Sequence, residues 1–232
     1  MVKLEEISDK LNVAILGDGI LGRELHRLTE WTLLSRRTTN LDITDFLSLN
    51  RITCAYDIIV NCIAYTNSYG GSKQEHWEIN YKLPATLSNI CFTNNTKLVH
   101  ISTEFVYANN DIPPTEEDIP CPDSTWYAYS KLLADEYIKF TNDYYLICRL
   151  LHKPNPFPYK EVWNVETSGD SVDKIAILVK RLIEKNATGI FNVGTGSKNL
   201  SELAPNLPIV EPPSYVPKDT TMNLDKLNNF LL

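Results

Sequence analysis

Asn12-Val13-Ala14-Ile15-Leu16 reads as a buried strand. It runs straight into Gly17-Asp18-Gly19-Ile20-Leu21-Gly22, and then into Arg23-Glu24-Leu25-His26-Arg27-Leu28, which has helical character. A Gly-x-Gly-x-x-Gly run set between a strand and a helix leaves few folds open. The glycines let the backbone turn tightly and come close to a pyrophosphate. Free N–H groups and the dipole at the helix N-terminus stabilise the phosphate charge. Gly17, Gly19, Ile20, Leu21 and Gly22 are therefore candidate dinucleotide contacts, with a plain tight turn as the alternative.

A second strand, Trp31-Thr32-Leu33-Leu34, ends at Ser35-Arg36-Arg37. An acidic residue about twenty positions past the first glycine would bind the ribose hydroxyls of NAD. Two arginines stand here instead, either in a solvated loop or as a clamp on the 2′-phosphate of NADP. Ser35 and, further on, Asp42 and Ile43 are placed to join that cofactor edge. A short helix is expected to run through Leu49, with Asp42 either capping it or meeting the adenine. Asp57 to Ala64, Lys97 to Ser102, Tyr144 to Leu150 and Gly189 to Gly194 are near-continuous apolar strands, as in a parallel sheet covered on both faces. Ser72-x-x-Glu75 is a capping box for a helix with a kink expected near Pro84.

Beyond Leu151, Pro154, Pro156 and Pro158 predict irregular structure. A helix from Ser171 to about Lys185 follows, and a short one around Leu224 to Leu231 ends the chain. The βαβα alternation predicts an α/β fold, a doubly wound parallel sheet of Rossmann type with a small, reduced C-terminal substrate lobe. Residues 1–150, joined by 171–195, form the dinucleotide-binding domain, and 151–170 with 196–232 form the lobe. Residues 1–11 read as a polar lead-in. The 232 residues suffice for one such domain and its lobe.

The formal charge of −7 argues against a nucleic-acid surface. No apolar run is long enough to span a bilayer, and the N-terminus lacks the apolar region of a signal peptide. Five cysteines, an odd count with no Cys-x-x-Cys, read as reduced and mostly buried thiols of a cytoplasmic protein. The four histidines show no metal-ligand spacing.

Chemistry concentrates in Trp126-Tyr127-Ala128-Tyr129-Ser130-Lys131, the start of a helix with Ser124 or Thr125 as N-cap. Tyr127 and Lys131 are four apart and share a face. Leu133, Tyr137 and Phe140 make an apolar stripe that includes Tyr129, so Tyr129 is expected in the core and Tyr127 free for chemistry. An ammonium beside a phenol favours the phenolate and lowers its pKa, which makes a tyrosine usable near neutral pH. Taken alone, the pair also fits an amphipathic surface. Thr103 and Glu104, polar residues at the end of a central strand, lie where ligands meet an open α/β sheet.

The glycine run, Ser102-Thr103-Glu104-Phe105-Val106, Tyr127-x-x-x-Lys131 and Gly189-Ile190-Phe191-Asn192-Val193-Gly194 occur together and in this order. The chain thereby resembles the extended short-chain dehydrogenase/reductase superfamily, and within it the dTDP-4-dehydrorhamnose reductases, closely over residues 12–150 and loosely over 165–227. It departs from them in its tighter glycine spacing, in a glutamate at 104 and in a shortened 151–168.

The resemblance implies an NADPH-dependent reductase of a nucleotide-linked 4-keto-6-deoxysugar, using NADP(H), with NAD(H) bound more weakly. It implies that Tyr127 donates a proton to the carbonyl, that Thr103 bonds the carbonyl oxygen and that Lys131 holds the nicotinamide ribose. Asn61, Ala64 and Tyr65 would line the cofactor, and Asn80 and Glu104 would support the substrate. The position where related epimerase/reductases carry an acid/base cysteine holds Phe105, so no epimerisation is expected. The alternatives are a non-catalytic NADP-binding regulatory subunit, of which the superfamily holds a case, and an epimerase or dehydratase. The partners implied are a nucleotide sugar, no nucleic acid and no membrane, with a homodimer as a candidate assembly.

Overall fold

A computed structural model describes residues 11–111 and 113–232. Of the polar lead-in, all but Leu11 lies outside the described residues. The chain opens with β1 (Val13–Leu16), α1 (Ile20–Thr29), β2 (Thr32–Leu34), a single turn α2 (Arg36–Thr39), α3 (Phe46–Ala55) and β3 (Ile58–Asn61). One continuous helical run follows: α4 (Lys73–Glu75), a π-helical stretch His76–Lys82 and α5 (Leu83–Asn94). Next come β4 (Lys97–Ile101), a 3-10 turn Glu104–Tyr107, α6 (Trp126–Thr141) and β5 (Tyr145–Leu150). The short strands β6 (His152–Lys153), β7 (Val162–Trp163), β8 (Glu166–Thr167) and β9 (Asp170–Ser171) lead into α7 (Val172–Glu184) and β10 (Gly189–Val193). The chain ends with β11 (Lys198–Asn199), β12 (Ile209–Val210), β13 (Asp219–Thr220) and α8 (Asp225–Leu231).

The central sheet runs β2-β1-β3-β4-β5-β10, and every pairing is parallel. Strand alternation sorts its side chains onto two cores. Val13, Ile15, Val99, Leu146 and Phe191 pack on one face with Leu25 of α1, Ile175 and Val179 of α7 and Leu227 of α8. Ala14, Leu16, Leu98, Ile147 and Ile190 pack on the other with Leu49 of α3, Leu87 of α5 and Ile138 of α6. Both faces are dry, which is why the strands read as unbroken apolar runs. The doubly wound Rossmann expectation holds. Order reverses between β1 and β3, which opens a crevice beyond their C-terminal ends.

Several expectations are corrected. The helix expected to stop at Leu49 is α3 and reaches Ala55, with Asp45 as its cap through Leu47 N–H; Asp42 instead accepts from the backbone and hydroxyl of Thr44 in the turn before it. The arginine segment is a helical turn capped by Ser35, not a loop. The irregularity near Pro84 is the π-helical stretch just before it, because a proline withholds the N–H that a regular helix needs there. The proline-rich run 154–161 is irregular, as expected, and the short strands β6 to β9 flank it. In the lobe β8 pairs with β11 and β13, and β7 with β12. Leu227 and Leu231 of α8 belong to the sheet core. All five cysteines are free thiols, but only Cys91 and Cys148 are buried. Among the described residues no helix is long and apolar enough to cross a membrane.

Helix α6 lies the other way round from its apolar stripe. Ala128, Lys131, Ala134, Asp135 and Ile138 face inward, while Tyr129 is 47% and Phe140 89% exposed. The polar side wins because the sheet gives each of its groups a partner.

Two glycines of the first turn are dictated by space. Gly17 has φ +101°, and a Cβ there would stand 2.7 Å from Ile63. A Cβ on Gly22 would stand 2.0 Å from the Gly17 carbonyl oxygen, so α1 could not close on β1. At Gly19 nothing lies within 4 Å. Gly22→Ala should therefore cost about 1–3 kcal/mol as strain, whereas Gly19→Ala should stay within about 0.5 kcal/mol. Urea unfolding of the two variants checks this, and equal midpoints would contradict it.

Candidate active site

A cleft of about 410 Å³ opens at the C-terminal ends of the central strands, within the usual range for small-molecule sites. Gly19, Ile20 and Leu21 enter it from the start of α1, Ala64 from beyond β3, Thr103 from beyond β4, and Tyr127 and Lys131 from α6. No side chain caps α1, so its first N–H groups remain open to an anion. The Gly17–Gly22 contact and the bare space at Gly19 make a cradle that fits a pyrophosphate.

Thr103 carries two duties. Its hydroxyl oxygen accepts from Phe105 N–H at 3.3 Å, capping the turn after β4, and the same side chain lines the cleft with Tyr127 and acts on its phenol. Burial raises the Tyr127 phenol above its ordinary value; Thr103 opposes this, and the negative charges of Glu104 and Asp135 add to it. The lowering expected from Lys131 is thus not what this geometry gives. The Lys131 Nζ donates to Ile101 O at 2.5 Å and lies 3.2 Å from His100 Nε2. Burial brings Lys131 itself down to about 8, against the raising effect of Asp135 and Cys62.

The cofactor-side residues do not all reach the cleft. Asn61 is fully buried, with Oδ1 accepting from Ile63 N–H at 3.1 Å. Asn80 is also fully buried and grips the Tyr65 backbone at both ends: Oδ1 accepts from Tyr65 N–H at 2.8 Å and Nδ2 donates to Tyr65 O at 3.0 Å. It sits in the π-helical stretch, whose wider turn carries that side chain. Asn61 and Asn80 therefore shape the strand-end loop from beneath. Arg37 pairs with Asp18 of the glycine turn at 2.7 Å. Arg36 is exposed and has no ion pair among the described residues. Asp42 and Ile43 lie beyond this edge, outside the cleft wall.

Glu104 turns away from the cleft. It is fully buried and joins the strand end to the lobe: Thr167 of β8 donates to both carboxylate oxygens at 2.9 Å, and Thr220 of β13 donates to Oε1. Burial pushes Glu104 up to about 7, against these hydrogen bonds and Lys153. Phe105 stands in the cleft wall, and the far wall adds residues that the sequence reading did not mark: His152, Lys153 and Tyr159. Burial and the neighbouring Lys153 bring His152 down to about 4. A basic pair directly after a central strand was the available signal.

The sequence matches the family described as the RmlD substrate binding domain over residues 12–152. It is 25% identical over 174 residues to the dTDP-4-dehydrorhamnose reductase of Mycobacterium tuberculosis, covering 71% of this chain and 52% of that protein. A probable low-salt glycan biosynthesis reductase of Haloferax volcanii is 30% identical over 115 residues, 47% of this chain and 38% of that one. The chain spans about half the length, or less, of the curated relatives it matches. The structure resembles a Bacillus anthracis dTDP-4-dehydrorhamnose reductase in complex with NADP, with TM-score 0.78, 22% identity and coverage of 95% of this chain and 92% of that one.

Glu104 predicts a pH dependence. A carboxyl group whose folded pKa lies above its unfolded value adds stability below the unfolded pKa and loses it as pH rises through the folded one. Between about pH 4.5 and 7 the wild type should lose on the order of 2–3 kcal/mol through this group. Urea midpoints against pH should show that limb flattened in Glu104→Gln; an identical profile would contradict the assignment.

Proposed function

This chain belongs to the RmlD substrate binding domain family, and on that premise we propose that it is an NADPH-dependent oxidoreductase. Its substrate is a nucleotide-linked 4-keto-6-deoxysugar of the dTDP- or UDP-4-keto-rhamnose type, reduced at the ketone in deoxysugar precursor biosynthesis. The observation that carries this reading is the convergence of Thr103, Tyr127 and Lys131 on one cleft beside an open helix N-terminus. The NADP named for the Bacillus anthracis structure and the reductase names of the relatives support it. A non-catalytic subunit would have no need of the three together.

The first turn and the α1 N-terminus would hold the pyrophosphate, and Ala64 with the Tyr65 loop would flank the nicotinamide end. When bound, the dinucleotide supplies the hydride. The Tyr127 hydroxyl gives its proton to the carbonyl oxygen, and the Thr103 hydroxyl donates to that oxygen as charge develops there. A raised phenol pKa keeps Tyr127 protonated until that moment. Lys131 would meet the nicotinamide ribose. Phe105 carries no exchangeable proton, so the cleft reduces without epimerising. Arg36 would meet the 2′-phosphate, because Arg37 is engaged by Asp18. The protein is placed in the cytoplasm, with a homodimer as its candidate assembly.

Incubation with NADPH and a panel of UDP-, dTDP- and GDP-4-keto-6-deoxysugars should consume NADPH with at least one sugar; consumption with none would sink the reading. Tyr127→Phe should lower turnover by about a hundred- to ten-thousand-fold while leaving the Kd for NADPH unchanged. Tyr129→Phe should be silent, since Tyr129 lies on the outer side of α6.

Cofactor preference gives a separate check. A charge-assisted arginine–phosphate bond is worth roughly 1.5–3 kcal/mol, and exposure reduces it, so NADPH should bind about tenfold more tightly than NADH, less so at high salt. Arg36→Ala should remove the preference. Equal affinities for the two cofactors in the wild type would show that Arg36 is only solvated.

A further inference from the structure

The groups beneath Lys131 form a hydrogen-bond chain whose direction can be assigned from its far end. Ile63 N–H can only donate, so the Asn61 atom facing it at 3.1 Å is the oxygen. The amide nitrogen of Asn61 then faces His100 Nδ1 at 3.2 Å, and as a donor it requires a lone pair there. His100 is fully buried on β4. With Nδ1 accepting, its proton sits on Nε2. Nε2–H faces Lys131 Nζ, also at 3.2 Å. An ammonium has only donors, so two donors would meet at that contact. A neutral amine resolves the conflict: it accepts from His100, donates to Ile101 O at 2.5 Å, and keeps one N–H for the cleft.

We propose that His100 is a positioning residue for Lys131: oriented by Asn61, it presents Nε2–H to the amine and shifts the lysine toward its neutral form. Of the other groups around Lys131, Asp135 and Cys62 act against that preference, each less strongly than burial acts for it. Asp135, four residues along α6, is engaged by Ser102 and Arg149. Cys62, at the end of β3, is a thiol pushed up to about 12 by burial. Tyr127, on the same face of α6, is held protonated by burial. Burial of Lys131 acts in the same direction as the hydrogen-bond chain, and burial keeps His100 neutral.

The consequence for turnover rests on the reductase reading; the assignment of the protons does not. On that reading a lysine that holds its proton less firmly meets the nicotinamide ribose with less positive charge near neutral pH.

The test is made on the full chain without substrate. Imidazole 15N shifts of wild-type protein should show His100 neutral and protonated on Nε2 from pH 6 to 9, a range chosen about the ordinary histidine pKa of about 6.5. The Lys131 Cε resonance, assigned by its loss in Lys131→Met, should titrate near 8. In His100→Gln the terminal amide reaches the Nε2 position and can turn its oxygen to an ammonium. The Lys131 midpoint should then rise by about one pH unit, tenfold in the proton equilibrium. A proton on Nδ1 in the wild type, or the same Lys131 midpoint in both proteins, would overturn the proposal. If His100→Gln does not fold, the wild-type 15N spectrum decides alone. A protein that reduces none of the sugars yet shows the Nε2–H tautomer and the lysine shift would fail the reductase reading and keep this one.

Discussion

The contact on which the site depends is the buried ion pair beneath α6. Arg149 of β5 donates through Nε to Asp135 at 3.0 Å, and both side chains are almost wholly out of water. Such a pair is expensive to bury, and here Asp135 Oδ1 and Arg149 Nη2 are buried with no hydrogen-bond partner among the described residues, while the other atoms are bonded. Ser102 donates to the same carboxylate oxygen at 2.9 Å. Arg149 also bonds the hydroxyl of Tyr107 and lies over its ring at 4.8 Å. Tyr107 in turn donates to Thr115 O at 3.0 Å, which ties down the loop ahead of α6. The helix is thereby fixed in rotation and in register on the sheet. Apolar contacts alone would allow it to roll. With Asp135 locked, Lys131 and Tyr127, one and two turns earlier, fall at the cleft.

Three consecutive residues divide the work at the end of β4. Ser102 anchors α6 through Asp135, Thr103 touches the Tyr127 phenol, and Glu104 holds the lobe through Thr167 and Thr220. Ser102 and Thr103 alternate along the extended chain, and the 3-10 turn that starts at Glu104 redirects the backbone, so one strand end reaches helix, cleft and lobe. This explains why a short lobe can still close a cleft. Its small strands carry little core of their own, but a fully buried carboxylate binds two of them.

Much of this was legible in the sequence for one physical reason: a parallel sheet covered on both faces needs strands apolar on both sides. Each of β1, β3, β4, β5 and β10 announced itself that way, and the glycine turn set its own context. Legibility failed where tertiary partners reverse a local rule. The stripe of Tyr129, Leu133, Tyr137 and Phe140 outweighs the opposite face in hydrophobicity, yet Lys131 and Asp135 are the buried side chains. No pattern on α6 announces that Ser102 and Arg149 await them. The direction of the Tyr127 shift failed for the same reason, since burial and the capture of Lys131 by His100 and Ile101 belong to the assembled site. His152, Lys153 and Tyr159 reach the cleft only through the path of the lobe.

On the proposed reading this cleft delivers hydride to a sugar carbonyl carbon and a proton to its oxygen, and touches no other ring position. Product NMR after turnover with NADPH deuterated at its transferable position tests that most directly. The account predicts one deuterium at the former carbonyl carbon. Run in deuterated water with ordinary NADPH, it predicts none at the neighbouring ring carbons. Deuterium from solvent at those carbons, or none from the cofactor at the carbonyl carbon, would contradict it.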